Sequence, residues 1–306
     1  MRFSVWPSPA RPWDELLRVA TTAEATGWDG LWFADHYMPN TSDGAPAPGP
    51  ILECWAAIAG LAAVVPRLRL GTLVSPTTFH HPALLAKRAA TIDRISGGRF
   101  VIGIGAGWQV NEHRSYGVQL PPPRERVDRF EEAIRIVHGM LREPRTTFAG
   151  RYFQVTDAPC EPEPVQQPLP ILVGSAGPRM QRLTARYADE WNTWGTPDAL
   201  RPALDSLAAA CAREGRDPAT LRRSAQALFF VDDGALDEAS VAAIRERVPL
   251  DRVLIGGTAA LAEHVAAYRD LGIDELIVSD LSLGRTADAR LDRYEQLRTE
   301  VFSSVT

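Results

Sequence analysis

Short runs rich in β-branched and aromatic residues alternate along the chain with longer stretches in which apolar residues recur at helical spacing. Such alternation marks βα units around a parallel sheet. It predicts strands at Phe3–Trp6, Gly30–Ala34, Leu68–Val74, Phe100–Gly105, Ile171–Gly174, Glu190–Thr193, Ala225–Val231 and Glu275–Ser279. Between them it predicts helices at Trp13–Thr26, Glu53–Val64, Pro82–Ile95, Arg124–Leu141, Pro178–Ala188, Leu200–Glu214, Asp237–Val248 and Thr258–Leu271, with Asp288–Phe302 as a terminal cap. The expectation is an α/β fold: one (β/α)8 TIM barrel over residues 1–306, with loop insertions and a C-terminal helix. Two segments break the alternation. Tyr37–Pro50, rich in Pro, Gly, Asn and Asp, predicts a long mobile loop after the second strand, suited to a lid. Arg145–Pro170 predicts a small hairpin around Phe148–Phe153 and a proline-rich connector.

The two ends of the predicted strands differ in chemistry. Three helix-to-strand turns carry an Asp just before an apolar run: Asp29, Asp189 and Asp274. In the first and last, Gly27 and Gly272 can end the preceding helix in the left-handed conformation. The opposite ends gather small and polar residues, as in Asp35-His36, Ser75-Pro76-Thr77-Thr78, Gly105-Ala106-Gly107-Trp108 and Gly174-Ser175-Ala176-Gly177. A barrel builds its active site on the loops at those ends, so candidate chemistry is sought there.

Phe100–Gly107 places glycines after a strand but fails the G-x-G-x-x-G pattern, because Trp108 occupies the third glycine position. It reads as a strand end kept bare so that something flat can approach the backbone, or as close packing inside the barrel. Gly174–Gly177, followed by Pro178, Arg179 and Arg182, is either a phosphate cradle at a helix N-terminus, helped by the Ser175 hydroxyl, or an ordinary strand-to-helix turn. Asp35-His36 places a carboxylate beside an imidazole that can transfer a proton or stabilise an anion, or else caps the strand. His80, His81, His113, His138 and His264 show no ligand spacing, so no catalytic metal is expected. Of the eight tryptophans, Trp6, Trp108 and Trp194 fall at strand ends or in loops and are candidates for the substrate pocket.

Composition narrows the classes. A net charge of −5 gives no overall attraction to phosphate backbones, so nucleic acid is not an expected partner. Cys54, Cys160 and Cys211 are odd in number and far apart, which suits packing in a reducing cytosol rather than disulfides. The N-terminal residues lack a signal peptide's apolar core, and the longest apolar run is shorter than the roughly 18 residues needed to span a bilayer. A cytoplasmic protein without membrane contact is expected.

Several segments together resemble the luciferase-like monooxygenase superfamily, and within it the branch of oxidoreductases that use the deazaflavin coenzyme F420. They are Gly27–His36, Leu70–Val74, Ser96–Phe100, Gly103–Trp108 with Asn111-Glu112-His113, and Gly174–Gly177. They run in family order through most of the chain. The resemblance implies a cofactor ring over the strand ends, backed by a bulge at Leu73-Val74-Ser75 with a non-prolyl cis bond at Leu73–Val74. It implies that Asp35 and His36 face the ring, that Thr77, Gly107 and Asn111 help fix the cofactor, and that Gly174, Ser175, Ala176 and Gly177 cradle its phosphate. His36 is the expected catalytic group. In the sugar-phosphate dehydrogenases of this branch a carboxylate follows the GxG turn, whereas here Trp108 stands in that place, which points to an apolar or aromatic pocket. The expected activity is hydride transfer between F420 and a small organic substrate. The alternatives are an FMN-dependent monooxygenase using O2 and a barrel that binds flavin or deazaflavin without catalysis. A homodimer is also implied.

Overall fold

The computed structural model describes residues 1–234 and 236–303. Its strands are β1 (Arg2–Trp6), β2 (Gly30–Phe33), β3 (Arg69–Thr72), β4 (Ser75–Pro76), β5 (Phe100–Gly105), β6 (Thr146–Ala149), β7 (Gln154–Ala158), β8 (Ile171–Gly174), β9 (Glu190–Trp194), β10 (Arg222–Val231), β11 (Val253–Gly256) and β12 (Glu275–Ser279). The helices are α1 (Trp13–Thr26), α2 (Cys54–Val64), α3 (Pro82–Ser96), α4 (Val110–Ser115), α5 (Pro123–Met140), α6 (Pro178–Tyr187), α7 (Pro197–Arg213), α8 (Glu238–Arg247), α9 (Thr258–Asp270) and α10 (Ala287–Gln296). Parallel pairing runs β1–β2–β3–β5–β8–β9–β10–β12 and returns to β1, closing the expected eight-stranded barrel.

Side chains alternate across the barrel wall, as a pleated strand requires. Phe3 and Val5, Leu31 and Phe33, and Phe100, Ile102 and Ile104 pack outward into the main core under the helices. Trp32, Val101, Leu172 and Ile277 fill the interior with Leu73. Below them lies a charged layer. Glu275 accepts hydrogen bonds from Ser4 Oγ and Trp32 Nε1, both at 2.6 Å, and pairs with Arg69 at 2.9 Å, while Arg69 also bonds Glu190. Burial alone would push the Glu275 carboxyl upward, but Arg69, Arg2 and these hydrogen bonds hold it below its ordinary range.

The repeated turn aspartates are clips on the scaffold. Asp29 accepts from the Phe3 N–H, Asp189 from that of Ile171 and Asp274 from that of Arg223, each at 2.8 Å. Each carboxylate therefore ties the turn before one strand to the start of another. The close fit of the walls shows at Gly103, where an added Cβ would lie 1.9 Å from the Thr72 carbonyl oxygen.

Several element boundaries differ from the sequence expectations. The strand expected at Leu68–Val74 breaks at a cis Leu73–Val74 peptide, and the chain rejoins β5 as β4. β10 is long enough to serve three pairings: Arg222–Gln226 lies against β9, Ser224–Ala227 against β12, and Leu228–Val231 runs on to pair with β11. Neither β11 nor α4 was expected. The predicted hairpin is β6–β7, and α10 continues into a final helical segment, Leu297–Phe302, whose Phe302 stacks on Phe3 with ring centroids 4.2 Å apart. No described helix is long and apolar enough to cross a membrane.

Replacing Gly103 by Ala should cost about 3 kcal/mol or more in denaturant unfolding, because the obstructing atom is backbone and cannot rotate away. Gly177→Ala, with nothing within 4 Å of the added carbon, should stay within about 0.5 kcal/mol of the parent. Equal unfolding midpoints for the two variants would refute the packing described.

Candidate functional site

The C-terminal strand ends open into a cavity of about 620 Å³. One half of its lining is bare. Leu73, Val74, Pro76, Gly105, Gly107 and Gly174 come from β3–β4, β5 and β8 and from the turn after β5. Val74 is the centrepiece: a Cβ built on Gly105 would lie 2.8 Å from its Cγ2, and one on Gly174 would lie 3.1 Å from the same methyl. Any larger residue at 105 or 174 would fill this wall, so the glycines keep it flat. Ser175 and Ala176 continue it toward the start of α6.

The other half is aromatic and polar. Trp6 from β1 and Trp194 from β9 meet edge to face at 5.4 Å, and the Arg252 guanidinium lies over Trp194 at 5.4 Å. Asn192, Gln226 and Asp251 complete this side, and Trp108, more than half exposed, sits edge-on to His36 at 5.7 Å.

His36 is the titratable ring in the lining, and its orientation is fixed from behind. Its Nδ1 lies 3.1 Å from Glu112 Oε1, and Glu112 Oε2 accepts the Tyr37 N–H at 2.9 Å. A carboxylate can only accept, so Nδ1 carries a proton and donates, while Nε2 has no partner among the described residues. Glu112 is fully buried on α4, which also ties down the loop after β2: Asn111 donates to Pro39 O at 2.8 Å and Ala45 O at 3.2 Å, and Arg114 to Gly44 O. The expected lid is thus held by a helix that the sequence reading missed.

Asp35 does not face the cavity. It is buried behind the bulge, where Oδ2 accepts from Ser75 Oγ at 2.6 Å, His80 Nε2 at 2.9 Å and Trp55 Nε1 at 3.0 Å. Arg88 donates to His80 Nδ1 at 3.1 Å, which fixes the His80 proton on Nε2, toward Asp35. Burial would raise the Asp35 carboxyl, but the hydrogen bonds from His80, Ser75 and Trp55 outweigh it and hold the group below the ordinary carboxylate range. Ser75 likewise braces the bulge rather than lining the cavity. Thr77 and Asn111 also lie off the lining, Thr77 with its N–H on Gly105 O and Asn111 in the loop anchor.

The turn after β8 is partly used by the protein itself. The Ser175 N–H donates to Asn192 O at 3.1 Å, and Ser175 Oγ accepts from Trp191 Nε1 at 3.1 Å. Arg179 pairs with Asp128 and Glu131, and Arg182 with Glu214. The donors left for an anion are the N–H groups of Ala176 and Gly177, just before the positive end of α6. No group of three or more His, Cys, Asp or Glu side chains among the described residues is arranged to hold a metal.

Glu112, Asn192, Gln226, Asp251 and Arg252 were not singled out from the sequence. Asn192 and Gln226 could have been found from strand alternation, since they share the inward face with Trp194 and Ser224. Asp251 and Arg252 belong to a short helical turn before β11 and carry no local signal.

A profile of a family described as luciferase-like monooxygenase matches residues 1–248. The chain is 29% identical over 299 residues to an F420-dependent glucose-6-phosphate dehydrogenase of Microbacterium testaceum, covering 87% of each chain. It is 30% identical over 221 residues to an F420-dependent hydroxymycolic acid dehydrogenase of Mycobacterium tuberculosis, covering 72% of this chain and 60% of that one. Among solved structures, an F420-dependent secondary alcohol dehydrogenase in complex with an F420-acetone adduct superposes with a TM-score of 0.83 at 18% identity, over 100% of this chain and 99% of the other.

Because the folded Asp35 carboxyl is held low, its stabilising contribution is complete above the unfolded Asp pKa of about 3.9 and is lost as pH falls through the lower folded value. Asp35→Asn should therefore lower Tm at neutral pH, and the gap to the parent should narrow in acid. A gap that widens below pH 4 would contradict this assignment.

Proposed function

The chain belongs to the luciferase-like monooxygenase family, and from that premise we propose that it is an oxidoreductase exchanging hydride between coenzyme F420 and a small organic substrate. The observation that carries this reading is the bare wall formed by Val74, Gly105 and Gly174 within a cavity that also presents an oriented histidine. The wall suits a planar fused ring, and the Ala176 and Gly177 N–H groups suit its phosphate. The F420-dependent relatives support the choice of deazaflavin. When bound, that coenzyme supplies the hydride acceptor or donor.

The protein's own part is to position and to move a proton. Val74 and the two glycines set the height of the ring face, and the Trp6–Trp194 side leaves room for a substrate opposite. His36, with Nδ1 locked on Glu112, offers Nε2 as base in one direction and as acid in the other. Trp108 lies edge-on beside His36 and stands where a carboxylate acid would sit in the sugar-phosphate dehydrogenases of the branch that the sequence resembles.

Titration of the purified protein with F420, followed by coenzyme fluorescence, should saturate, whereas FMN should bind at least tenfold more weakly. Preference for FMN would move the chemistry to oxygen activation and overturn the proposal. With a substrate in hand, His36→Ala should lower kcat by roughly 10²- to 10⁴-fold, the range for a lost general acid–base group. An unchanged kcat would remove His36 from the mechanism.

A further inference from the structure

The N-terminal end of the barrel carries a depression of its own, about 450 Å³, lined by five arginines and two carboxylates. Strand alternation aims three of these arginines at the barrel axis. Ser4 and Trp6 face inward from β1, Ser224 and Gln226 from β10, and Gly71 on β3 abuts the interior ring of Trp32. Two residues below them, Arg2, Arg222 and Arg69 fall on the same face. Only β12 stands between β1 and β10, so the Cα rows of Arg2 and Arg222 run about 10 Å apart, close enough for both long side chains to reach one ligand.

The charges at this floor do not balance. Arg67 pairs with Glu24, and Arg142 takes Asp189. Arg69 takes both Glu190 and Glu275. Arg2 comes no nearer than 3.9 Å to Glu275 Oε2, the same oxygen that Arg69 holds at 2.9 Å. Arg99 spends its donors on the carbonyl oxygens of Ala62, Leu68 and Ser96, which leaves its charge without a paired carboxylate. Arg222, exposed in the lining, makes no side-chain hydrogen bond or ion pair among the described residues. Burial and the like charges of Arg69 and Arg222 draw the Arg2 guanidinium below its ordinary range, although Glu275 and Glu190 oppose them. Six guanidiniums thus meet four carboxylates, an excess of two positive charges in one depression.

We propose that the barrel floor is a binding site for a phosphate group, free or esterified on a small molecule, with Arg222 and Arg2 as its ligands. The roughly two negative charges of such a group at neutral pH match the excess. Each guanidinium offers a planar fork that fits two oxygens of one oxyanion. The site stands at the other end of the strands from the coenzyme cavity, with the layer of Trp32, Val101, Leu172 and Ile277 between them. It is therefore independent of the hydride-transfer reading.

The test is calorimetric titration of the F420-loaded protein, in which the anion site beside α6 is covered, with inorganic phosphate, methyl phosphate and succinate. At least one of the two phosphates should bind saturably and roughly tenfold tighter than succinate, which spreads its charge over two separate carboxylates. The tighter of the two phosphates tells a free ion from an ester as the occupant. Arg222→Gln should weaken that binding roughly tenfold or more, the effect of one lost charge-assisted contact, without unfolding the protein, since Arg222 holds nothing in the fold. Arg18→Gln, the same change of charge on the exposed face of α1, should leave phosphate binding unaltered. No saturable binding of either phosphate, tighter binding of succinate, or equal binding by parent and Arg222→Gln would overturn the site. An equal loss in Arg18→Gln would reduce it to general charge attraction and also overturn it. If F420 does not bind the parent, the hydride-transfer reading suffers instead. The same comparison on the unloaded protein then decides the floor site, because the turn after β8 lies at the other end of the strands from Arg222.

Discussion

The site depends on how closely three strands approach one another at the top of the barrel. β3 runs into the bulge at Leu73–Val74, and the side chain of Val74 comes to rest between Gly105 on β5 and Gly174 on β8. A Cβ at either glycine would crowd the valine, and one at Gly103 would strike the Thr72 carbonyl. Side chains at these positions would spread the strands or fill the cavity. The flat wall, the volume above it and the start of α6 beside it all follow from this contact.

Carboxylates hold that geometry from three directions. Asp35 braces the bulge from behind through Ser75 and draws on His80 and Arg88. Glu112 locks His36 and the first peptide of the following loop from the side. Glu275, paired with Arg69, closes the barrel beneath Trp32. Each is buried and each has partners, which is the condition under which a buried charge is tolerated. Adjacent residues thus divide between scaffold and cavity: Asp35 is held behind the bulge, while His36 lines the cavity.

Much of this was legible in the sequence because barrel strands are bounded by turn residues and alternate regularly with amphipathic helices. The turn aspartates read as scaffold, and they are: Asp29, Asp189 and Asp274 each clip another strand's N–H. What local pattern could not show was partnership across the fold. Asp35 and His36 are adjacent in sequence, yet successive residues in extended backbone point to opposite sides, so one faces the core under the helices and the other the cavity. The Ser175 hydroxyl looked free for a phosphate, but its oxygen already accepts from Trp191 on a neighbouring strand. β11 escaped notice because Val253–Gly256 is short and pairs only with the far end of an extended β10. Glu112 was quoted within a motif but given no role, since its contact with His36 spans 76 positions of the chain.

The most direct test of the central claim is a crystal structure of the protein with coenzyme F420 bound. The account predicts the deazaflavin ring lying flat against Val74, with its edges over Gly105 and Gly174 and its phosphate at the N–H groups of Ala176 and Gly177. A ring seated instead between Trp6 and Trp194, with the glycine wall uncovered, would contradict it.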